Sequence, residues 1–492
     1  MPRLASRPLV RSVLLALALA SLASCATAPT ESAQSVLARA SQAMGAASLR
    51  SIAFTGSGTG ATFGQAYEAG KPWPRITYSG FSRLVDYENA AMREDASRSR
   101  AEPAGGGVVP PMGQGEQRTS GAVRGAHAWN IAGANANPAP VAVDARIHDL
   151  WTTPHGVIKA ALANQATVAM RSEGGRSLAA VSFTVPGRFR ATAMINADGL
   201  VERIESTHPN AVLGDTASVI RFSNYQDFAG VRFPLRIQQD LGGHPVLDLT
   251  VHEVKPNAPA GIETPAAVPA AVERVVATKV TDGVWMLGGG SHNSVAIEMR
   301  DHLMVVESPL YDGRALPMLA EAARLVPGKP VTMVVNSHHH FDHAGGLRAA
   351  AAQGATLVVS ARARPFYQQA LGNPNRVSPD ALEKSGRKAV FAEVDGRRVF
   401  SDGMRTVEVY AIEGNLHAQG FLMVYLPKER ILIEADAYTP AAPNTPPPAR
   451  PNELSVNLVQ NIERLKLQVD TIVPLHGRVV PVAELYNAIG RR

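Results

Sequence analysis

Residues 337–346 read SHHHFDHAGG, and this stretch brings imidazoles and a carboxylate close together. Nitrogen and oxygen donors at this density suit a hard or borderline divalent cation, with zinc as the first candidate. On this stretch alone, a surface histidine run with incidental metal affinity stays open as the alternative. Further ligands elsewhere in the chain would decide between the two.

The flanking residues predict that this stretch lies on a strand-to-helix loop. The apolar run at 331–335 predicts a buried strand, and residues 347–352 predict the first turns of a helix. Gly345 and Gly346 carry no Cβ, so the backbone can turn tightly between the two elements. The candidate ligands would therefore sit at the end of a strand.

Three more candidate ligands come later in the chain, each just beyond an apolar or β-like run. They are His417, Asp436 and His476. In α/β sheets, sites form at the ends of strands, where loops from distant parts of the chain converge. Three such residues at one sheet edge favour a single metal site over an incidental histidine run.

The whole series, His338-x-His340-x-Asp342-His343 followed by His417, Asp436 and His476, resembles the ligand series of the metallo-β-lactamase superfamily. The resemblance covers residues 273–492, and it implies an α/β domain built as a four-layer αββα sandwich that holds two zinc ions per chain. The ligands implied for the first zinc are His338, His340 and His417. Those implied for the second are Asp342, His343 and His476. Asp436 would bridge the two ions, and His339 would be a spacer.

Such a pair of ions predicts a hydrolase. Two divalent ions about 3.5 to 4 Å apart can share a water, lower its pKa and polarise the bond that breaks. Asp342 is the predicted catalytic residue, because it could orient the bridging hydroxide and carry a proton to the leaving group. We therefore expect a binuclear zinc-dependent hydrolase acting on an ester, thioester, lactone or lactam-like small molecule.

Two further residues, His292 and Glu307, are expected near the predicted metal centre. His292 lies in the segment GGGSHN, at a strand connection that in this superfamily lies near the metal mouth. The resemblance therefore implies a substrate contact for His292, and an ordinary loop histidine is the alternative. Glu307 stands where the superfamily often has an aspartate near the site, but we assign it no ligand role. The proline-rich segment 440–451 could form a wall of the pocket or a solvent-exposed connection.

The N-terminus resembles a bacterial lipoprotein signal peptide over residues 1–24. Three arginines precede the short apolar segment 13–20, and Cys25 follows as the single cysteine of the chain. The resemblance implies that Cys25 is lipidated and anchors the protein to a membrane on the periplasmic side of the cell envelope, with Ala26 favouring the outer membrane. A plain secretory signal with a coincidental cysteine is the alternative. A lone cysteine also excludes an intramolecular disulfide.

Residues 25–255 predict a mainly antiparallel β domain. Segments such as 188–195 and 231–238 alternate apolar and polar residues between glycine-containing turns, and residues 35–44 have the spacing of an amphipathic helix. We expect 101–140 to be irregular, because it is rich in glycine, proline and alanine without a clear period. Residues 256–272, rich in proline and alanine with little to pack, predict an interdomain linker before the hydrolase domain at 273–492.

Length and composition limit the remaining function classes. A chain of 492 residues predicts more than one domain, and 5% aromatic residues with a net charge of +6 indicate no nucleic-acid partner. The β domain faintly resembles periplasmic lipoprotein-carrier domains, so a lipid or lipoprotein carrier with a vestigial hydrolase is the alternative function. A domain that merely spaces the hydrolase from the membrane is the simpler interpretation. A third hypothesis is a di-iron oxidoreductase, as in some relatives with a flavin partner. No flavodoxin-like domain is visible in the sequence to support it.

Overall fold

The computed structural model describes residues 31–101 and 115–491. Within these ranges the chain is mixed α/β, with a large antiparallel sheet in the N-terminal half and two smaller sheets with helices in the C-terminal half. The predicted signal peptide and Cys25 lie outside the described residues. No helix in the described ranges is long and apolar enough to cross a membrane.

The N-terminal sheet contains thirteen strands in the described ranges, and every neighbouring pair is antiparallel. The strands are β1 (Ser51–Ala61), β2 (Arg75–Asp86), β3 (Ala91–Arg100), β4 (Gln117–Arg124), β5 (His127–Ala132), β6 (Asn135–Pro138), β7 (Thr167–Glu173), β8 (Arg176–Val185), β9 (Phe189–Ile195), β10 (Val201–Asn210), β11 (Gly214–Phe228), β12 (Val231–Leu241) and β13 (His244–Pro256). The first and last strands pair in the middle, with Ile52 opposite Pro256. The domain therefore begins and ends at the centre of its sheet.

Three helices cover part of this sheet and form its core: α1 (Ala33–Met44), α2 (Val143–Trp151) and α3 (Pro154–Ala163). The structure confirms the predicted first helix, which Ser32 caps by accepting a hydrogen bond from the Ser35 amide. Its buried residues recur every three or four positions, so one face packs against strand residues such as Phe54 and Phe233.

The expectation of an irregular segment between 101 and 140 is wrong for its second part, which forms strands β4, β5 and β6. Ala122 and Trp129 on these strands are buried against Ile262 and Val268 from the segment after β13. Packing between distant segments stabilises these short strands where the local pattern of alternation is weak. The same contacts show that the predicted linker does have partners to pack against.

The C-terminal half contains a seven-stranded and a six-stranded sheet in the described ranges. The first sheet has β14 (Val276–Thr281), β15 (Val284–Gly288), β16 (Ser294–Glu298), β17 (Leu303–Val306), β18 (Val331–Val335), β19 (Thr356–Ser360) and β20 (Val390–Val394). The second has β21 (Arg397–Ser401), β22 (Thr406–Ala411), β23 (Leu422–Leu426), β24 (Ile431–Glu434), β25 (Thr471–Pro474) and β26 (Val480–Pro481). The helices are α4 (Asp312–Leu325), α5 (Phe341–Ala344), α6 (Leu347–Ala352), α7 (Arg364–Gly372), α8 (Ala381–Ser385), α9 (Glu453–Arg464) and α10 (Val482–Ala488).

Side chains from both sheets share one buried core, which includes Val335 of β18 and Ile433 of β24. A second core joins the other face of the first sheet to helices α4 and α6, through residues such as Met318 and Leu347. Strands β17 to β20 are parallel, and so are β24 and β25. Their carboxyl ends therefore deliver successive loops to shared edges of the sheets.

One end of the N-terminal sheet contacts the C-terminal half. The turn between β10 and β11 inserts Val212 into the core beside α7, where it is 1% exposed. Asp215 next to it donates its backbone amide to the Pro374 carbonyl at 2.7 Å and accepts hydrogen bonds from the amides of Arg376 and Val377. These contacts involve buried and directional groups, so they hold the two halves in a defined orientation.

The buried imidazole of His155 makes the N-terminal domain sensitive to acid. Its Nε2 donates to the Met44 carbonyl at 3.0 Å, and burial lowers the pKa of His155 from 6.5 to about 4. Between these two values only the unfolded chain takes up the proton. The stability that depends on neutral His155 is therefore complete above pH 6.5 and is lost as the pH falls toward about 4.

We predict that acidification from about pH 7.5 to about pH 5 lowers the free energy of unfolding of the wild type by about 2 kcal/mol more than that of His155→Gln. The glutamine amide can still donate to Met44 but does not titrate. Urea unfolding at both pH values, with a chelator present so that metal release does not contribute, measures the difference. The control is His127→Gln on strand β5, and an equal acid response of wild type and His155→Gln would refute the role of His155.

Candidate metal centre

After helix α5 the chain turns over two glycines that pack closely against the backbone of residues 308–310. A Cβ on Gly345 would lie 1.8 Å from the Leu310 carbonyl oxygen, and one on Gly346 would lie 2.7 Å from the Ser308 carbonyl oxygen. No other residue fits without displacing the neighbouring segment. The glycines thereby let helix α6 follow helix α5 closely, directly after the histidines.

The structure brings His338 and His340 together with two residues from later strand ends. With His417 and Asp436 they form a group of ligand atoms that all lie within 4.8 Å of one another. The Nε2 atoms of His338 and His417 are 3.2 Å apart, and the Asp436 Oδ2 atom is 3.2 Å from the first and 3.0 Å from the second. All three imidazoles are buried.

A second group shares the same aspartate. His343 and His476 place their Nε2 atoms 3.3 Å apart, and His292 joins them within the same 4.8 Å limit. Asp436 lies between the two groups, with Oδ2 at 3.0 Å from His343 and Oδ1 at 2.9 Å from His476. One carboxylate therefore reaches imidazoles of both candidate groups.

Asp342, predicted as a ligand and as the catalytic residue, lies next to the second group but outside it. Its Oδ2 atom is 3.8 Å from His343 Nε2 and accepts a hydrogen bond from His292 Nε2 at 3.2 Å. Its Oδ1 atom accepts a hydrogen bond from the side-chain amide of Gln65 at 2.9 Å. His292, predicted only as a substrate contact, thus occupies the place beside His343 and His476.

His339 belongs to neither group. Its Nε2 donates to the Ala66 carbonyl oxygen at 2.7 Å, and the ring lies near Phe366. The adjacent His340 donates from Nε2 to the same carbonyl at 3.1 Å. The Nδ1 atom of His340 is buried and has no hydrogen-bond partner, so it is the atom that His340 can offer to a metal.

Burial sets the charge of the imidazoles. It lowers the pKa values of His338 and His340 well below that of an ordinary histidine, so both are neutral and able to bind a metal. Burial acts the same way on His343, but the carboxylates of Asp436 and Asp342 outweigh it and raise the pKa of His343 well above its usual value. The site therefore stabilises positive charge at its centre.

Glu307 holds His343 in place, although it is not a ligand. It lies directly after strand β17, is 0% exposed, and has a φ of +73°, which a glutamate rarely adopts. Its Oε2 accepts hydrogen bonds from His343 Nδ1 at 3.0 Å and from the Ser337 hydroxyl, and its Oε1 accepts from the Asn336 amide at 2.6 Å. Fixing Nδ1 leaves the Nε2 atom of His343 free for a metal.

The residues fit zinc. Two nitrogen atoms bound to one tetrahedral zinc at about 2.05 Å lie about 3.3 Å apart. The Nε2 pairs of His338 with His417 and of His343 with His476 are 3.2 and 3.3 Å apart. The unpaired Nδ1 of His340 and the two anionic carboxylates complete a donor set that a divalent cation would satisfy.

Comparison with known proteins agrees with this geometry. Residues 287–476 match the family described as the metallo-beta-lactamase superfamily, so the C-terminal half carries a domain of this superfamily. That span includes every residue of the two groups that could hold a metal ion, His292 among them. No curated protein matches the sequence.

Several solved metallo-beta-lactamase structures resemble part of the chain. One from Pontibacter korlensis has 18% identity and a TM-score of 0.34, and the match covers 44% of this chain and 98% of that one. One from Pseudomonas aeruginosa, in a mono-zinc form, has 20% identity and a TM-score of 0.33, with 44% and 95% covered. One from Hirschia baltica has 19% identity and a TM-score of 0.33, with 45% and 99% covered.

Three contributors to the site carried no usable ligand pattern in the sequence. Glu307 stands where the superfamily often has an aspartate near the site, and that resemblance is the signal that could have indicated a role. Gln65 and the Ala66 carbonyl lie in a loop of the N-terminal domain, where no motif marks them. A backbone carbonyl leaves no trace in the residue type, so only the structure could identify it.

We predict that Glu307→Gln weakens zinc binding by about 10- to 100-fold, because an amide offers one acceptor where the carboxylate offers two, and His343 loses its fixed orientation. Competition with a chromophoric chelator measures the affinity. The control is Glu321→Gln on helix α4, whose carboxylate pairs with Arg324 at the surface. Wild-type affinity in Glu307→Gln would contradict the role given to Glu307.

Proposed function

We propose that the protein is a binuclear zinc-dependent hydrolase that acts on an ester, thioester, lactone or lactam-like small molecule through a metal-bridging hydroxide. The observation that carries the proposal is the Asp436 carboxylate, which lies within 3.2 Å of imidazoles from both groups. His338, His340 and His417 would hold the first zinc. His343 and His476 would hold the second, with Asp342 or His292 as the remaining ligand.

Bound zinc ions would supply an activated water and polarise the oxygen of the scissile bond. The protein side chains have separate tasks around them. Asp342 accepts hydrogen bonds from Gln65 and His292, so its carboxylate is held where it can accept a proton from the attacking water and pass it to the leaving group. Burial lowers the pKa of His292, so a neutral ring donates this hydrogen bond.

A cleft beside Asp436 would receive the substrate. Its volume is about 510 Å³, and its walls include Tyr438, Arg478 and residues 443–448 of the proline-rich segment. A volume of this size suits a small molecule. Because residues 443–448 line this cleft, they support the interpretation of 440–451 as part of the pocket. The prolines limit movement of that wall.

We propose that the C-terminal domain is a four-layer αββα sandwich. The core shared by both sheets, the α4 and α6 contacts on the first sheet, and the α9 residues packed on the second support this arrangement. The carrier alternative has less support, because the helix-covered face of the N-terminal sheet is filled by side chains such as Phe189 and Phe233, both 0% exposed.

We further propose that lipidated Cys25 anchors the protein to a membrane of the cell envelope, facing the periplasm, and that this membrane is the outer one. The support is the sequence of the first 25 residues, with its arginines, short apolar segment and single cysteine. Several acyl chains on one cysteine would hold the protein firmly at the surface.

We predict that the purified wild type contains about two zinc ions per chain and that His338→Ala and Asp436→Ala each lower hydrolysis by at least about 100-fold. Elemental analysis measures the metal, and a panel of esters, thioesters, lactones and lactams finds the substrate. The control is His302→Ala, at a surface turn where the ring pairs with Asp301. A wild type without metal that hydrolyses none of the panel would refute the proposal.

We predict that Cys25→Ser moves the protein from the membrane fraction to the soluble fraction of the envelope, because serine cannot accept the thioether-linked lipid. Sedimentation after cell fractionation measures the change. Ala26→Asp is the companion variant and should shift the protein from outer to inner membrane. Unchanged sedimentation of Cys25→Ser would exclude the lipid anchor.

A further inference from the structure

The connection between strands β1 and β2 extends from the N-terminal domain to the candidate metal centre. This connection, residues 62–74, is closed at its base by a hydrogen bond from the Thr62 amide to the Pro74 carbonyl at 2.8 Å. It then reaches the loops that hold the candidate ligands. We call it the inserted loop.

Backbone hydrogen bonds attach the inserted loop to two separate ligand loops. The Phe341 amide donates to the Gly64 carbonyl at 3.2 Å, and the Gln419 amide donates to the Tyr67 carbonyl at 2.8 Å. The Tyr67 hydroxyl donates to the Asn415 carbonyl at 3.2 Å. One loop of the N-terminal domain thus holds the segments on both sides of the first metal group.

Aromatic packing fixes the distance between the inserted loop and the helix that follows His340. Phe63, Trp73 and Phe341 meet edge to face, with ring centroids 5.0 to 5.5 Å apart. Gly64 makes this approach possible: its φ is +81°, and a Cβ there would lie 2.6 Å from the Phe341 ring. The loop is therefore seated in one position.

Two groups of the inserted loop act directly on predicted site residues. The Gln65 side chain donates to Asp342 Oδ1 at 2.9 Å and is the partner of that oxygen atom. The Ala66 carbonyl accepts hydrogen bonds from Nε2 of both His339 and His340. A proton on Nε2 of His340 leaves Nδ1 as the ligand atom, so this carbonyl selects the tautomer.

We propose that the inserted loop is a built-in part of the metal centre, in which Gln65 is a positioning residue for Asp342 and the Ala66 carbonyl holds His340 in its metal-binding tautomer. This inference rests on the proposed function, since it concerns the same site. It gives the N-terminal domain a task beyond spacing the hydrolase from the membrane: the centre is complete only when both halves are docked.

The first test replaces Gln65 by a residue of similar size that cannot donate. We expect Gln65→Leu to weaken the binding of one of two zinc ions by about 10- to 100-fold and to change the absorption spectrum of the cobalt(II)-substituted full-length protein. The matched control is Glu68→Gln in the same loop, whose side chain is exposed. Chelator competition measures the affinity, and thermal unfolding with chelator present shows whether the metal-free fold is intact.

The second test moves the loop without touching Gln65. Gly64→Ala and Gly70→Ala both place alanine at a φ near +80°, but the Cβ at position 70 lies 3.7 Å from its nearest neighbour, on Phe366. The strain is therefore matched, and only Gly64→Ala pushes the loop away from Phe341. We expect zinc affinity to fall at least about 10-fold in Gly64→Ala and to stay near that of the wild type in Gly70→Ala.

The outcomes separate this inference from the proposed function. A wild type that binds no zinc overturns both. A wild type that binds two zinc ions, with Gln65→Leu equal to it in affinity and cobalt spectrum, overturns the inference and leaves the hydrolase proposal standing. If Gly64→Ala does not fold, Gln65→Leu alone decides. Weaker metal binding with an unchanged metal-free melting temperature supports the inference.

Discussion

The structure depends on one arrangement: a carboxylate, Asp436, that lies among four imidazoles from three separate segments of the chain. Nitrogen atoms only 3.2 to 3.3 Å apart, most of them out of contact with water, are unfavourable neighbours unless a proton or a cation lies between them. A divalent ion in each of the two groups would satisfy them. The donors come from distant parts of the chain, so holding them together is the main task of the C-terminal fold.

The fold meets that task through strand ends and tight packing. Strand β18 of the first sheet and strands β24 and β25 of the second finish near one another, and a candidate ligand follows each of them. Gly345 allows the histidine loop to press against neighbouring backbone, and Glu307 accepts an unusual φ so that its carboxylate reaches His343. Strain of this kind persists only where the surrounding hydrogen bonds outweigh it.

The N-terminal domain also contributes contacts to the candidate metal centre. Its sheet docks through the β10–β11 turn, and the inserted loop then contacts Asp342 and His340 directly. Hydrogen bonds around metal ligands orient them and tune their affinity. Here part of that outer layer would come from a domain whose described residues hold no candidate metal group, which makes docking of the two halves relevant to the proposed chemistry.

Short apolar runs, helical spacing and the His-x-His-x-Asp-His pattern are enough to predict several local elements and the candidate ligand series. Strand β18 and helix α6 match the predicted bounds, because contiguous apolar runs and helical spacing are local signals. The folded chain alone shows that 117–138 forms strands, that His292 lies beside His343 and His476, and that Gln65 contacts Asp342. Gln65 and Asp342 are 277 positions apart. Contacts over such separations follow from how whole sheets dock, and no local pattern of residues encodes that.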